Sequence, residues 1–171
     1  VIPFPLEVTT SYGKGTKYGP AAVLRASAQV ELWDEELWCD PSREGIATLP
    51  TPRVKKRHED ALEQLAELTQ RVYQDGKLPI VIGGEHSLSS GSLMGMLRAH
   101  KPAEPITIFH FDAHADLRDS WEGSKNSHAC ALRRAFELSP LFNLVQVGIR
   151  NISESEVPFW EEHNATGRIK T

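Results

Sequence analysis

Residues 106–116 read I-T-I-F-H-F-D-A-H-A-D. A short apolar run, rich in β-branched and aromatic residues, ends in Asp112, His114 and Asp116, three ionisable groups at every second position. Such a run is the pattern of a buried strand. If the backbone stays extended past Phe111, alternate side chains share a face and two carboxylates and an imidazole converge. Anions gathered on one face repel each other and lose hydration, and a cation between them relieves both costs. The stretch therefore predicts a strand with a cation site at its carboxyl end.

Working outward, L-P-I-V-I-G-G at 78–84 is a second buried strand closed by glycines, and L-V-Q-V-G-I-R at 144–150 is a third. Between Val54 and Gln74, Ala61, Leu62, Leu65, Leu68, Val72 and Tyr73 recur at helical spacing, with Gly76 placed to end the helix. Residues 87–99 form a helix capped by Ser87 and weakened by Gly91 and Gly95. Residues 127–138 also read as helical, and 153–163 open with a capping pair, Ser153 and Glu156. Upstream, V-I-P-F-P suits an edge strand or a strand start, and Pro20 opens a helix over about Ala21–Ala28. Residues 39–52 hold three prolines and form a connector. The alternation predicts an α/β fold, a three-layer αβα arrangement around a parallel sheet, in one domain spanning 1–171. In such sheets functional groups gather at the carboxyl ends of strands. Both G-G-E-H-S (83–87) and D-A-H-A-D (112–116) fall there, on strands expected to be neighbours.

The bulk numbers narrow the partners. With 40% hydrophobic and 25% charged residues the chain has the composition of a soluble globular protein. A formal charge of −4 and no basic stripe argue against nucleic acid. No apolar run approaches the ~20 residues of a membrane-spanning helix, and no signal pattern opens the chain. Cys39 and Cys130 form neither a disulfide framework nor a CxxC site, which points to reduced thiols in the cytoplasm.

D-x-H-x-D is not an EF-hand, because His114 holds the third position and Leu117 the sixth. Nor is it H-E-x-x-H, because Phe111 follows His110. Imidazole with carboxylate and no thiolate favours Mn²⁺, Fe²⁺ or Zn²⁺. A carboxylate can bridge two ions and an imidazole cannot. With Asp112 bridging, His114 and Asp116 can serve different ions, His86 adds a further ligand, and a two-metal site makes hydroxide at neutral pH. The competing reading is a solvated loop with chance alternation.

The sequence resembles the ureohydrolases, the manganese enzymes that include arginase and agmatinase, and is most similar to prokaryotic agmatinases. The resemblance rests on S-Y-G-K-G-T-K-Y-G-P (11–20), G-G-E-H-S, F-D-A-H-A-D (111–116), N-S-H-A-C (126–130) and V-Q-V-G-I-R (145–150), and covers essentially the whole chain. It implies an arginase-like fold and two Mn²⁺ ions. His86 and Asp116 would hold one, His114 the other, and Asp112 both, while His128 would pass a proton to the departing amine. The implied reaction converts a guanidino compound to urea and an amine, with agmatine giving putrescine. The polar arrangement that arginases place around the counterpart of His128 is missing, which favours a decarboxylated, cationic substrate over arginine; guanidinobutyrate is a further candidate. The family also implies homo-oligomers, trimers or hexamers.

Two departures carry expectations of their own. Family members have a further motif, S-x-D-x-D-x-x-D-P, whose first two aspartates complete the metal site, and it does not occur in these 171 residues. The chain is thus expected to be a piece lacking the C-terminal strands, to hold metal weakly or at one site, and to turn over little. A catalytically incomplete homologue that binds metal or a partner is the reading from another class, and a metal deacetylase is disfavoured by the D-x-H-x-D spacing and G-G-E-H-S. Glu85 stands where many family members carry Asp and reads as a tolerated change. His110 reads as packing or support for the site, and Arg133 and Arg134 as surface or interface charges.

Overall fold

The computed structural model describes residues 1–171 as α/β, with every strand pairing parallel. Strand β1 (Ile2–Phe4) precedes α1 (Gly19–Ser27), α2 (His58–Gln74), β2 (Val81–Gly83), α3 (Leu88–His100) and β3 (Ile106–Phe111). Then come α4 (Ala131–Glu137), β4 (Phe142–Val147), α5 (Val157–Ala165) and β5 (Ile169–Lys170). The elements expected from the sequence are present, with ends shifted for identifiable reasons. Helix α2 begins at His58 rather than Val54, because Lys55, Lys56 and Arg57 would sit against the positive end of the helix dipole whereas Glu59 and Asp60 suit it. Strand β4 stops at Val147 because Gly148 turns the chain with φ +86°.

The strands do not form one sheet. β1 pairs with β2, and β3, β4 and β5 form a second sheet with β4 in the middle. The expectation that the strands carrying G-G-E-H-S and D-A-H-A-D are neighbours is therefore corrected: β2 and β3 share no ladder. Each leaves an edge unpaired, and between them lies a cleft of about 550 Å³ lined by Val81, Leu88, Leu93, Phe109 and Phe111. Phe109 and Phe111 are 64% and 74% exposed, so one face of β3 lacks the cover its composition called for.

Each sheet has its own core. Ile2, Phe4 and Leu6 pack with Ala61, Leu62 and Leu65 of α2, whereas Phe142, Leu144 and Ile169 pack with Leu117, Leu132 and Phe136. Helix α3 joins them, giving Leu88 to the first core and Leu93, Met96 and Leu97 to the second. Its Gly95 lies so close to α2 that a Cβ there would fall on the Ala66 carbonyl and the Thr69 hydroxyl. The glycines that weaken α3 as an isolated helix are what let the two backbones pack together.

Candidate metal centre

Past β2 the chain turns through Gly84, where a Cβ would land on the Leu6 carbonyl. Residues 6–9 can therefore lie against the turn, and Glu85 binds them. Its carboxylate accepts from the Val8 N–H at 2.5 Å, the Thr9 N–H at 2.8 Å, the Thr9 hydroxyl at 2.6 Å and the Ser87 hydroxyl at 2.7 Å. Burial pushes the Glu85 pKa up, but these donors, the two hydroxyls foremost, outweigh it and hold it below the ordinary carboxylate value. Ser87 thus makes no side-chain cap on α3. With its proton committed to Glu85, its oxygen accepts from His58 Nε2 at 2.9 Å.

Past β3 the chain does not stay extended. The Asp112 N–H still donates to the Val147 carbonyl, and Asp112 Oδ1 then accepts from the His114 N–H at 2.9 Å, turning the backbone. Asp116 adopts φ +53°, a conformation uncommon for a residue with a side chain. Its surroundings hold it there. The Asp116 carbonyl accepts from the N–H groups of Leu132 and Arg133, and the Leu117 N–H donates to Glu156 Oε1 at 2.7 Å. The same Glu156 closes the capping box with Ser153 that the sequence predicted.

This loop brings the expected side chains together by a route other than strand alternation. His86 Nδ1 lies 2.6 Å from Asp116 Oδ2 and 3.5 Å from Asp112 Oδ2. His114 Nδ1 approaches the other oxygen, Asp112 Oδ1, at 3.4 Å, and its ring is mostly exposed. Burial lowers the His86 pKa, but the hydrogen bond and charge of Asp116, with the charge of Asp112, raise it further, to a net value above normal. The Asp112 carboxyl is raised by burial, yet the His114 N–H and the nearby imidazoles bring it below the usual range. The site is one that favours a positive charge.

His110 joins the group: ligand atoms of His86, His110, Asp112 and Asp116 all lie within 4.8 Å of one another. Here strand alternation does operate, placing His110 on the side of Asp112, with Nε2 3.5 Å from Asp112 Oδ2. The Gln146 amide donates to His110 Nδ1 at 3.0 Å and to the Ala115 carbonyl at 2.8 Å. A neutral imidazole that accepts at Nδ1 carries its hydrogen on Nε2, which has no other partner and faces Asp112. His110 therefore fits as a donor supporting Asp112 and does not fit as a ligand. Burial, then the charge of His86, lower its pKa and keep it neutral. The donors that remain for a cation, imidazole and carboxylate without thiolate, suit Mn²⁺, Fe²⁺ or Zn²⁺.

His128 lines the same pocket of about 340 Å³ as His86, Asp112, His114 and Asp116, and this pocket also takes in Ser11, Arg118, Trp121, Asn151 and Glu156. None of these was read from the sequence as a site residue; they reach the pocket from the glycine-rich loop, the turn at 118–124, the stretch after β4 and the turn leading into α5. Trp121 Nε1 donates to Ser11 Oγ at 3.2 Å, and the Arg118 guanidinium stacks on the indole, 4.2 Å from its centre. Arg133 and Arg134, read from the sequence as surface or interface charges, are half-buried, with side chains 20% and 15% exposed and paired with the exposed carboxylates of Asp119 and Glu137.

A sequence model of the arginase family matches residues 1–168. An N(1)-aminopropylagmatine ureohydrolase of Synechocystis sp. is 40% identical over 171 residues, 96% of this chain and 54% of the relative. An agmatinase of Pyrococcus horikoshii is 32% identical over 161 residues, 93% of this chain and 54% of the relative. The crystal structure of the agmatine ureohydrolase of Thermoplasma volcanium superimposes with a TM-score of 0.78 at 30% identity, over 98% of this chain and 54% of that one. The chain thus spans about half the length of the curated relatives it matches. With the fold, the two motif-bearing turns and the family match in agreement, the chain belongs to the arginase family.

Proposed function

We propose that this chain carries the first half of a binuclear ureohydrolase site that releases urea from a cationic, linear guanidino compound, agmatine being the preferred substrate. The observation that carries the reading is the division of Asp112, whose Oδ2 faces His86 and whose Oδ1 faces His114. A carboxylate so placed is suited to bridging two ions, with His86 and Asp116 on one side and His114 on the other. When bound, a pair of Mn²⁺ ions polarises the guanidinium and lowers the pKa of water enough to make it a nucleophile at neutral pH. The chain's own part is to hold that pair, to position the substrate carbon beside it, and to supply a proton. The bond that breaks joins the guanidinium carbon to the alkyl nitrogen, and the amine leaves only after protonation. His128, in the same pocket, is the group for that step, since an imidazole exchanges protons near neutral pH.

Support for a guanidino substrate comes from relatives named agmatinase and N(1)-aminopropylagmatine ureohydrolase. The 40% identity to the latter favours a second reading, an agmatine lengthened by an aminopropyl group. The exposed apolar side chains Leu32, Trp33, Leu37 and Trp38 support assembly into homo-oligomers, and the free thiols of Cys39 and Cys130 suit a cytoplasmic setting. The test is urea release from agmatine, N(1)-aminopropylagmatine, arginine and guanidinobutyrate with added Mn²⁺. It is run on the 171-residue chain and on the chain fused to the part of the Synechocystis relative outside the match. Agmatine turnover by the fusion, lost in His128→Ala, is expected; turnover of none of the four by either form would end the proposal.

A further inference from the structure

His128 is held by side chains that were assigned no role toward it from the sequence. Its backbone N–H donates to Thr9 Oγ1 at 2.9 Å, and its Nδ1 lies 3.4 Å from the same oxygen. Thr9 has one hydroxyl proton, and it donates that proton to a hydrogen bond with the Glu85 carboxylate at 2.6 Å. An oxygen whose proton is committed in this way can offer Nδ1 only a lone pair. The opposite ring nitrogen, Nε2, lies 3.4 Å from Ser11 Oγ at the pocket. Ser11 accepts from Trp121 Nε1, a group that can only donate, so its own proton is available for a lone pair on Nε2. Both contacts fit one tautomer, with hydrogen on Nδ1 and the free electron pair on Nε2.

We propose that Thr9, its hydroxyl turned by Glu85, is a positioning residue that fixes His128 as the Nδ1–H tautomer and so aims Nε2 at the substrate pocket. The inference deepens the reading of His128 as proton donor and rests on it. Once Nε2 has given its proton to the departing amine, the imidazole is left as the form that Thr9 favours, and the transfer is assisted. Glu85 is placed for this by its other three bonds. The Val8 and Thr9 N–H groups fix the loop, Ser87 fixes the carboxylate, and the reach from the β2 turn to Thr9 is spanned by a glutamate side chain. The change at position 85 that the motif comparison treats as tolerated thus has a specific partner.

Ser127 is the competitor. Its Oγ lies 3.3 Å from Nδ1 and has no committed proton, so it can donate to Nδ1 as readily as accept from it. Thr9→Val removes the hydroxyl at nearly constant shape and leaves Ser127 free to do either, whereas Thr9→Ser keeps the oxygen. The chain labelled with ¹⁵N-histidine is measured by long-range proton–nitrogen NMR, which separates the two neutral tautomers. His128 is expected as Nδ1–H in the unsubstituted chain and in Thr9→Ser, and as a mixture or as Nε2–H in Thr9→Val. Glu85→Gln is expected to shift it the same way. In the fusion, Thr9→Val is expected to lower kcat about ten- to a hundredfold with KM unchanged and with Mn²⁺ affinity by titration unchanged. Retention of Nδ1–H in Thr9→Val, or its loss in Thr9→Ser, overturns the proposal. Absence of urea release from the unsubstituted fusion instead overturns the functional reading, and the tautomer measurement still decides what Thr9 does.

Discussion

His86 Nδ1 and Asp116 Oδ2 meet at 2.6 Å, although the strands that precede them lie in sheets sharing no backbone hydrogen bond. The contact joins the two halves of the molecule at the same point where the candidate ion site lies. Removing the cation-attracting charge there is expected to affect ion binding first and folding second, because each half keeps its own hydrophobic core.

Asp112→Ala removes both oxygens that separate His86 from His114. Mn²⁺ affinity, measured by calorimetric titration of the 171-residue chain, is expected to fall by more than the roughly 10–100-fold typical of changes outside the ligand shell. His128→Ala, in the same pocket but outside the set that would hold the ions, is expected to leave that affinity within a fewfold while lowering turnover of the fusion by about 10²–10⁴. Two ions retained by Asp112→Ala would contradict the bridging role.

Asp116 tests backbone and charge separately. Its φ of +53° is tolerated by Asn, whose short side chain suits the left-handed region, and resisted by Val. Asp116→Asn is expected to fold with little loss of stability but to bind Mn²⁺ weakly. Asp116→Val is expected to cost a further ~1–3 kcal/mol in urea unfolding, from a strained backbone in a tightly bonded loop. Equal stability of the two variants would show that the conformation at 116 is not fixed by its neighbours.

The elements and the chemistry were legible because local physics sets them. The period of α2 follows from its apolar positions, the turn leading into α5 from Ser153 and Glu156, and the ligand types from D-x-H-x-D. What was not legible depends on contacts distant in sequence. No pattern says that β2 and β3 leave facing edges unpaired, since a short apolar run looks the same whichever strand lies beside it. The convergence of Asp112, His114 and Asp116 was expected from an extended backbone, but the loop owes its shape to Asp112 capping His114 and to Glu156 reaching Leu117. Thr9 and Ser11, more than a hundred residues from His128, lie just before and at the start of a glycine-rich loop with no evident chemistry.

His58 gives the pH dependence a sign. Burial lowers its pKa more than the charge of Glu85 raises it, so the unfolded chain binds this proton more tightly than the folded one. Stability is then fully present above the unfolded value of about 6.5 and falls as pH drops through and below it. His58→Gln, which can still donate to Ser87, is expected to flatten the decline in urea midpoint between about pH 7 and pH 5. An unchanged slope would mean that other groups, such as His110 or His163, carry the effect.

The unpaired face of β3 makes a different kind of prediction, because Phe109 and Phe111 contribute apolar area without contributing packing. A strand edge flanked by exposed aromatic rings is a template for association with other chains. Replacing both with Thr keeps the strand preference while removing the rings. The double variant is expected to bind less of an apolar fluorescent dye and to show weaker concentration-dependent association in sedimentation. Its unfolding free energy should stay within about 0.5 kcal/mol per site, as for other exposed positions. A loss of several kcal/mol would instead place the two rings in a packed interior, and the cleft between β2 and β3 would have to be closed in solution.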